Sequence, residues 1–213
     1  MASEPDQPRR RGRRPTDPQV IVDALARLLE DRPLQAISVE ELLQAAGVAR
    51  STFYTHFPTK FAVARSALDD ALRQIDEHVT AFVRRDARED PVEALRRTAR
   101  ESLEVWLRHR AVLEAVLTNA PLDDELAVAA AEMRRRLAQP MIDELRRRRE
   151  ERLGRTATDP QLLGIALMES TLRLVVRAGR DPELPDEETL PEVITTIWGA
   201  ALLLEPQTGA GRR

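Results

Sequence analysis

The sequence predicts an all-α protein of about nine helices, and three observations lead to this class. Apolar residues recur at intervals of three and four positions along most of the 213-residue chain. The 8 glycines are few for an all-β protein, and the regularly spaced turn signals of such proteins are missing. Charged residues make up 32% of the chain, a share that suits amphipathic helices with one solvated face.

Capping and breaking residues delimit the first four helices. Asp17-Pro18 is a capping residue followed by proline, a common start of a helix. Ser38 and Glu41 form a capping box, with a hydroxyl at the N-cap and a carboxylate three residues later. Gly47 stops the short helix that follows, at a turn where the chain needs a positive φ. The predicted helices are residues 17–30, 39–46, 49–56 and 59–85.

The remaining helices are recognised by the same signals. Asp90-Pro91 and Asp159-Pro160 repeat the starting pattern, and Gly179 closes the helix that precedes it. The predicted helices are residues 91–109, 112–117, 123–152, 159–178 and 186–204. The polar ends, residues 1–16 and 205–213, are predicted to be disordered.

Composition and motifs argue against several classes of protein. Cysteine is absent, which excludes disulfides and thiolate metal sites and fits a reducing cytoplasm. No apolar run reaches the roughly 20 residues that span a bilayer, and the charged N-terminus is not a secretory signal. His56, His78 and His109 lack metal-ligand spacing, and the sequence patterns of nucleophile elbows, P-loops and zinc proteases are missing. We therefore expect a cytoplasmic protein that is not an enzyme and holds no metal or cofactor.

A basic block lies near the N-terminus although the net charge is −3. Residues 9–14 read RRRGRR and carry five positive charges and no negative one. Such a block is either a solvated, disordered tail or an arm that orders on DNA.

The three helices within residues 17–57, joined by short turns, form a helix-turn-helix pattern. The third of these helices has an apolar side and a polar side. Its polar residues are of types that contact phosphates and base edges, namely Arg50, Ser51, Thr52, Tyr54 and Thr55. Tyr54 is either such a contact or a packed core aromatic, a role that Phe53 and Phe57 already fill.

Residues 37–42 (ISVEEL) and 46–60 (AGVARSTFYTHFPTK) resemble the TetR family of repressors. Lys60 is the only lysine of the chain, and it falls where the family places a phosphate-contacting lysine at the start of the fourth helix. At Thr55 the chain departs from the aromatic or histidine usual in the family. The resemblance implies base or sugar-phosphate contacts at Arg50, Ser51, Thr52 and Tyr54, phosphate contacts at Thr55, His56 and Lys60, a cap at Ser38 near the DNA backbone, and a minor-groove arm containing Arg10, Arg11, Arg13 and Arg14.

Beyond the helix-turn-helix, one side of the helix after Pro91 alternates small and large residues. Leu95, Ala99, Ser102 and Trp106 share this side, which is either ordinary core or the wall of a ligand cavity between helices. Residues 29–34 (LEDRPL), 166–169 (ALME) and 196–198 (TIW) resemble the ethionamide-resistance regulator branch of the family. That resemblance implies a pocket lined by Leu95, Ser102, Trp106, Met141, Ala166, Glu169, Leu174 and Trp198. Glu169 is alternatively a surface partner of Arg173, four residues on.

The last two helices are more apolar than a monomer surface allows. By resemblance they form a four-helix dimer interface, with Leu163, Leu167 and Val175 on one helix and Leu190, Val193, Ile194, Ile197 and Ala201 on the other. The expected domains are a basic arm (1–16), a DNA-binding domain (17–60), a regulatory domain (61–204) and a tail (205–213).

The sequence favours a dimeric repressor that leaves a palindromic operator in double-stranded DNA when it binds a small lipophilic effector, without association with a membrane. A helical enzyme with a DNA-binding appendage and an architectural DNA binder without a ligand are the alternatives. The sequence has no paired base and nucleophile, which argues against the enzyme. A thermal-shift screen with lipophilic compounds would distinguish the architectural DNA binder from the ligand-responsive repressor, because a bound ligand raises the melting temperature.

Overall fold

The computed structural model describes residues 17–86, 88–151 and 158–202. These ranges contain nine α-helices and no strand, which confirms the predicted all-α class. The helices are α1 (Gln19–Asp31), α2 (Val39–Ala46), α3 (Arg50–His56), α4 (Lys60–Val83), α5 (Pro91–Arg108), α6 (Arg110–Asn119), α7 (Asp124–Glu150), α8 (Pro160–Arg177) and α9 (Leu190–Leu202). Short 3-10 turns lie at Leu34–Ala36 and Ala120–Leu122. The predicted arm and tail lie outside the described residues.

The helix boundaries differ most from the sequence prediction at α6, which runs from Arg110 to Asn119 instead of residues 112–117, and at α9, which begins four residues later than predicted. Helix α9 begins at Leu190 because Asp186 forms a capped turn before it, in which the Asp186 carboxylate accepts hydrogen bonds from the amide and hydroxyl of Thr189 at 2.8 and 2.7 Å. Helix α7 continues through Pro140. Because proline has no N–H, α7 lacks one of its backbone hydrogen bonds near its middle.

One hydrophobic core runs through all nine helices. Leu25 of α1, Leu42 of α2 and Phe53 of α3 are fully buried and join the first three helices into one unit. Helix α4 contacts α1 of the first unit and also packs against α5, α6 and α7. Helix α4 therefore connects the helix-turn-helix with the larger helical part. No helix in the described ranges is long and apolar enough to cross a bilayer.

A buried charge cluster links the region after α4 to α7. The carboxylate of Glu144 is 2% exposed and contacts Arg85, Arg147 and Arg148 at 3.5, 2.8 and 3.0 Å. Burial by itself raises the pKa of Glu144, but hydrogen bonds from Arg147 and Arg148 outweigh it and leave the pKa below its ordinary value. The ionised carboxylate thus fixes the end of α4 on α7.

Candidate DNA-binding surface and interhelical cavity

The turn between α2 and α3 is built by a capping box and a glycine. The Ser38 hydroxyl accepts a hydrogen bond from the Glu41 amide at 3.2 Å, and the Ser38 amide donates to the Glu41 carboxylate at 2.8 Å. Gly47 ends α2 with φ of 65°, the left-handed conformation predicted from the sequence. These local features fix where α3 begins relative to α2.

Glu41 also binds Arg32, which lies after the end of α1. The Arg32 guanidinium donates to the Glu41 carboxylate at 2.7 Å. This hydrogen bond, together with those from the amide and hydroxyl of Ser38, lowers the pKa of Glu41 from 4.5 to about 2. One carboxylate therefore joins the end of α1 to the start of α2.

Helix α3 divides into a buried face and an exposed face. Phe53 is completely buried, whereas its neighbour Tyr54 is 46% exposed, and the two rings meet edge to face with centroids 5.2 Å apart. Arg50 lies over the Tyr54 ring at 5.6 Å and forms an ion pair with Glu40. The structure thus places Tyr54 on the outward side, where the Arg50 guanidinium lies over its ring.

The residues predicted to contact DNA differ in their exposure. Arg50, Ser51, Tyr54 and Thr55 share the exposed face of α3, although the Thr55 hydroxyl donates to the Ser51 carbonyl at 2.8 Å. Thr52 and His56 are half-buried at the edges of this face, and Ser38 is exposed beside it. Arg10, Arg11, Arg13 and Arg14 lie outside the described residues.

Lys60 differs from the expectation of a free phosphate contact. Its ammonium donates to the carbonyls of Leu34, Gln35 and Ile37 at 2.8, 3.3 and 2.6 Å. Three backbone carbonyls of the chain thus lie within hydrogen-bond distance of an ammonium that has three donors, and the phosphate contact of Lys60 stays a prediction.

A largely apolar cavity of about 70 Å³ lies between α4, α5, α7, α8 and α9. Five of the predicted pocket residues line it, namely Leu95, Ser102, Trp106, Met141 and Trp198. The other lining residues are Ile75, Val79, Thr98, Ala99, Leu103, Leu137, Met168, Thr171 and Ile194. Helix α4 contributes Ile75 and Val79 to this wall, and both residues belong to the apolar stripe that the sequence shows on that helix.

The polar atoms of the cavity wall are few and differ in their bonding. The Trp198 indole donates to the Thr171 hydroxyl at 3.0 Å, and that hydroxyl donates to the Leu167 carbonyl at 2.9 Å. The buried hydroxyl oxygen of Ser102 has no hydrogen-bond partner in the described part of the chain. A buried unpaired hydroxyl is unfavourable, so Ser102 offers a bonding position to a cavity occupant.

Three of the predicted pocket residues lie elsewhere. Ala166 and Glu169 are on the exposed side of α8, and Leu174 is half-buried outside the cavity wall. Glu169 forms an ion pair with Arg134 of α7 at 2.7 Å instead of the expected pair with Arg173. Met168 is the lining residue shared by the cavity and a groove of about 310 Å³ between α7 and α8.

The residues predicted for the dimer interface also separate into two groups. Val175, Leu190 and Ile194 are buried in the core of the chain itself, and Ile194 lines the cavity. They are therefore not available to a second copy in this conformation. Leu163, Leu167, Val193, Ile197 and Ala201 are half-buried. The most exposed apolar side chains of α8 are instead Leu162, at 66%, and Ile165, at 43%.

In the described ranges, no cluster of three or more His, Asp or Glu residues is arranged to hold a metal ion. The exposed face of α3 offers hydrogen bonds, aromatic contacts and ionic contacts, and the cavity offers apolar packing around the unpaired hydroxyl of Ser102.

Comparison with known proteins finds a family match for the N-terminal part of the chain. Residues 21–67 match the family described as "Bacterial regulatory proteins, tetR family". The HTH-type transcriptional regulator EthR of Mycobacterium tuberculosis is 38% identical over 118 residues, which are 54% of this chain and 55% of EthR. This chain thus spans about half the length of the curated relatives that it matches.

Solved structures extend the similarity to the whole fold. The TetR family regulator PfmR from Thermus thermophilus has a TM-score of 0.65 and 25% identity, covering 84% of this chain and 96% of PfmR. The complex of triclosan with SmeT, a repressor from Stenotrophomonas maltophilia, has a TM-score of 0.69 and 20% identity over 92% of this chain and 98% of SmeT. Residues 21–67 therefore correspond to the N-terminal DNA-binding domain of the TetR family, and the helical fold of the whole chain is similar to that of solved TetR regulators.

Proposed function

We propose that this chain is a transcriptional regulator that binds double-stranded operator DNA through the exposed face of α3. The observation on which the proposal depends is the outward side of this helix, where Arg50, Ser51, Tyr54 and Thr55 lie together while Phe53 is buried behind them. A rigid helix with short polar side chains and one exposed aromatic is suited to the major groove.

The ion pair between Arg50 and Glu40 does not oppose this role. Both side chains are about two-thirds exposed, at 64% and 65%, so their mutual attraction is weakened by water. A DNA phosphate bears a full negative charge and strong acceptor oxygens. It can therefore replace Glu40 as the partner of Arg50 with only a small loss of free energy. Arg50 is then available for a phosphate, and Tyr54 for a base edge or a thymine methyl group.

Selection from a random library of double-stranded DNA tests this proposal without knowledge of the operator. The wild-type chain is expected to enrich a palindrome whose half-sites lie about one helical turn, or a multiple of it, apart. Tyr54→Ala should bind the enriched duplex more weakly while its affinity for random DNA changes little. Val128→Ala, at an exposed position of α7, is the control. Failure of folded wild-type protein to enrich any sequence would contradict the proposal.

The cavity supports control of DNA binding by a small molecule. Its wall is apolar apart from a few hydroxyl groups, and the oxygen of Ser102 is unpaired within it. We propose an uncharged, mainly apolar effector with one group that hydrogen-bonds to Ser102. The SmeT–triclosan complex is a ligand-bound example of the same fold.

The size of the cavity sets a condition on the effector. A volume of about 70 Å³ is smaller than the roughly 150 Å³ of an engineered cavity that binds benzene. Met168, a flexible side chain, separates it from the larger groove between α7 and α8. Rotation of Met168 would join the two spaces and admit a drug-sized molecule.

A thermal-shift screen with neutral lipophilic compounds tests the effector proposal. Compounds with a hydrogen-bonding group should raise the melting temperature of the wild-type chain more than that of Ser102→Ala. Apolar compounds of the same shape should raise both equally. If no neutral lipophilic compound raises the melting temperature, the effector proposal is wrong.

We further propose that two copies associate through α8 and α9. Leu162 and Ile165 form an exposed apolar ridge on α8, and Ala166 and Ser170 beside them are small enough for close helix packing. On α9, Thr196 and Ala200 are exposed in the same manner. The half-buried residues predicted from the sequence lie along the edges of this surface.

A further inference from the structure

We infer that Lys60 is a positioning residue, whose ammonium fastens the start of α4 to the 3-10 turn between α1 and α2 and thereby transmits movements of α4 to the helix-turn-helix. This inference deepens the proposed function, because it identifies the contact through which α4 acts on the DNA-binding face.

The geometry of the contact is that of a cap. The Leu34 carbonyl of the 3-10 turn Leu34–Ala36 accepts a hydrogen bond from the Ile37 amide at 3.3 Å, and the last carbonyls of a short helix have no partner within it. The Lys60 ammonium lies within 2.6 to 3.3 Å of the carbonyls of Leu34, Gln35 and Ile37. Three donors thus meet three acceptors, and the side chains of Leu34 and Ile37 are completely buried beside them.

The surroundings of the ammonium favour a fixed position over a mobile one. Lys60 is half-buried, and its ammonium lies 5.6 Å from the centre of the Phe61 ring. Burial lowers the pKa of Lys60 below its ordinary value, and the negative charge of Glu41 opposes this shift. The carbonyl dipoles and Glu41 therefore replace part of the water that the charge has lost.

This geometry explains why a chain with 33 basic residues retains one lysine here. An ammonium is a compact charge whose three donors diverge from a single atom, which suits three carbonyls that converge on one point. A guanidinium is planar, and its donors lie in a fixed fork. Arginine is therefore unable to reproduce the three contacts, although it keeps the charge.

The contact lies on a short path between the two parts of the chain. Ile37 directly precedes Ser38, which caps α2, so the ammonium holds the start of the helix-turn-helix. On the other side, Thr59 caps α4, and its hydroxyl donates to Glu125 of α7 at 3.2 Å. The start of α4 is thus held between the α1–α2 turn and α7, and a shift of α4 moves α2 and α3 with it.

Two substitutions separate this role from a phosphate contact. Lys60→Arg keeps the charge and Lys60→Met removes it, while Arg27→Met removes a charge from the exposed surface of α1 as a control. Without DNA, amide hydrogen exchange across residues 34–42 should be about tenfold faster than in wild type in both Lys60 variants. The Arg27→Met control should exchange at the wild-type rate. Exchange at wild-type rates in Lys60→Arg would overturn the inference.

DNA binding gives a second readout, made at a low temperature at which circular dichroism shows every variant folded. Both Lys60 variants should lose about tenfold in affinity for the selected duplex, and Lys60→Met should keep the control's slope of log affinity against log salt. If Lys60→Arg binds like wild type, and Lys60→Met alone loses affinity with a slope about one unit smaller, Lys60 is a phosphate contact and the inference is wrong.

A measurement on the wild-type chain keeps the inference testable even if a variant does not fold. Because Lys60 is the only lysine, ¹⁵N-lysine labelling gives a single side-chain ammonium signal. Its protons should exchange with water far more slowly than those of free lysine, and addition of DNA should leave them protected. Exchange as fast as in free lysine would refute the contact. Neither this measurement nor amide exchange requires DNA, so failure of the proposed DNA binding is recognised separately.

Discussion

At the scale of single residues, Glu41 makes the stability of the helix-turn-helix depend on pH. Its pKa is about 2 in the folded chain and ordinarily 4.5. The ionised carboxylate therefore contributes its full stabilisation above pH 4.5, and this contribution is lost as the pH falls toward 2. In urea unfolding, wild type should exceed Glu41→Gln in stability at pH 6, and the difference should vanish near pH 2. A difference that stays constant over this range would exclude the assignment.

Single residues also show what the sequence was able to predict. Tyr54 was expected to point outward because Phe53 and Phe57 already occupy the apolar side, and it is 46% exposed. The capping box at Ser38 was recognised because its partners lie three residues apart. The partners of Lys60 could not be predicted, because they are backbone carbonyls more than twenty positions away and no sequence pattern identifies a carbonyl as an acceptor.

At the scale of helices, α7 and α8 cross closely at Gly164. A Cβ atom at this position would lie 2.3 Å from Cγ1 of Ile142, closer than packing allows. Alanine ordinarily stabilises a helix by about 1 kcal/mol over glycine, but here overpacking should outweigh this gain. We expect Gly164→Ala to destabilise the chain by about 1–3 kcal/mol in denaturant unfolding.

Gly199 of α9 is a matched control for this crossing. An added Cβ there would meet Leu95 at 3.7 Å, an ordinary contact. Gly199→Ala should therefore leave the stability unchanged or raise it by up to about 1 kcal/mol. Adding Ile142→Ala to Gly164→Ala should recover part of the loss, because it removes the atom that clashes. Equal effects of the two glycine substitutions would show that the crossing is not close.

The helices themselves were predictable, but the faces of the last two were not. Start and stop signals such as Asp159-Pro160 and Gly179 locate each helix to within a few residues. Both faces of α8 are apolar, however, so periodicity does not tell which face meets the chain's own core. Val175 therefore lies in that core, whereas Ile165 is exposed.

At the scale of the whole molecule, the exposed ridge of α8 predicts the oligomeric state. Ile165→Asp places a charge in the proposed contact between two copies, and it should convert a dimer into a folded monomer. Val128→Asp, at a similarly exposed apolar position of α7, should remain dimeric. Size-exclusion chromatography with light scattering measures the mass. A dimer that survives Ile165→Asp unchanged would place the interface elsewhere.

The two functional regions are connected by α4. Lys60 holds its beginning to the α1–α2 turn, and the Glu144 cluster holds its end to α7 through Arg85. Between these ends, Ile75 and Val79 form part of the cavity wall. An effector that enlarges the cavity would therefore press on α4, the helix that we propose positions α2 and α3. The apolar stripe of α4 is visible in the sequence, but the set of residues that line the cavity depends on how four other helices pack around α4.

The most direct test of this account is the affinity of the selected duplex for a chain whose cavity is permanently filled. Ser102→Trp inserts a large side chain at the unpaired hydroxyl, and Ser102→Ala is the matched control. Coupling of about 3 kcal/mol corresponds to roughly a hundredfold change in affinity. We expect Ser102→Trp to remain folded and dimeric yet to bind the duplex about a hundredfold more weakly than Ser102→Ala. A folded, dimeric Ser102→Trp that binds the duplex as tightly as wild type would contradict it.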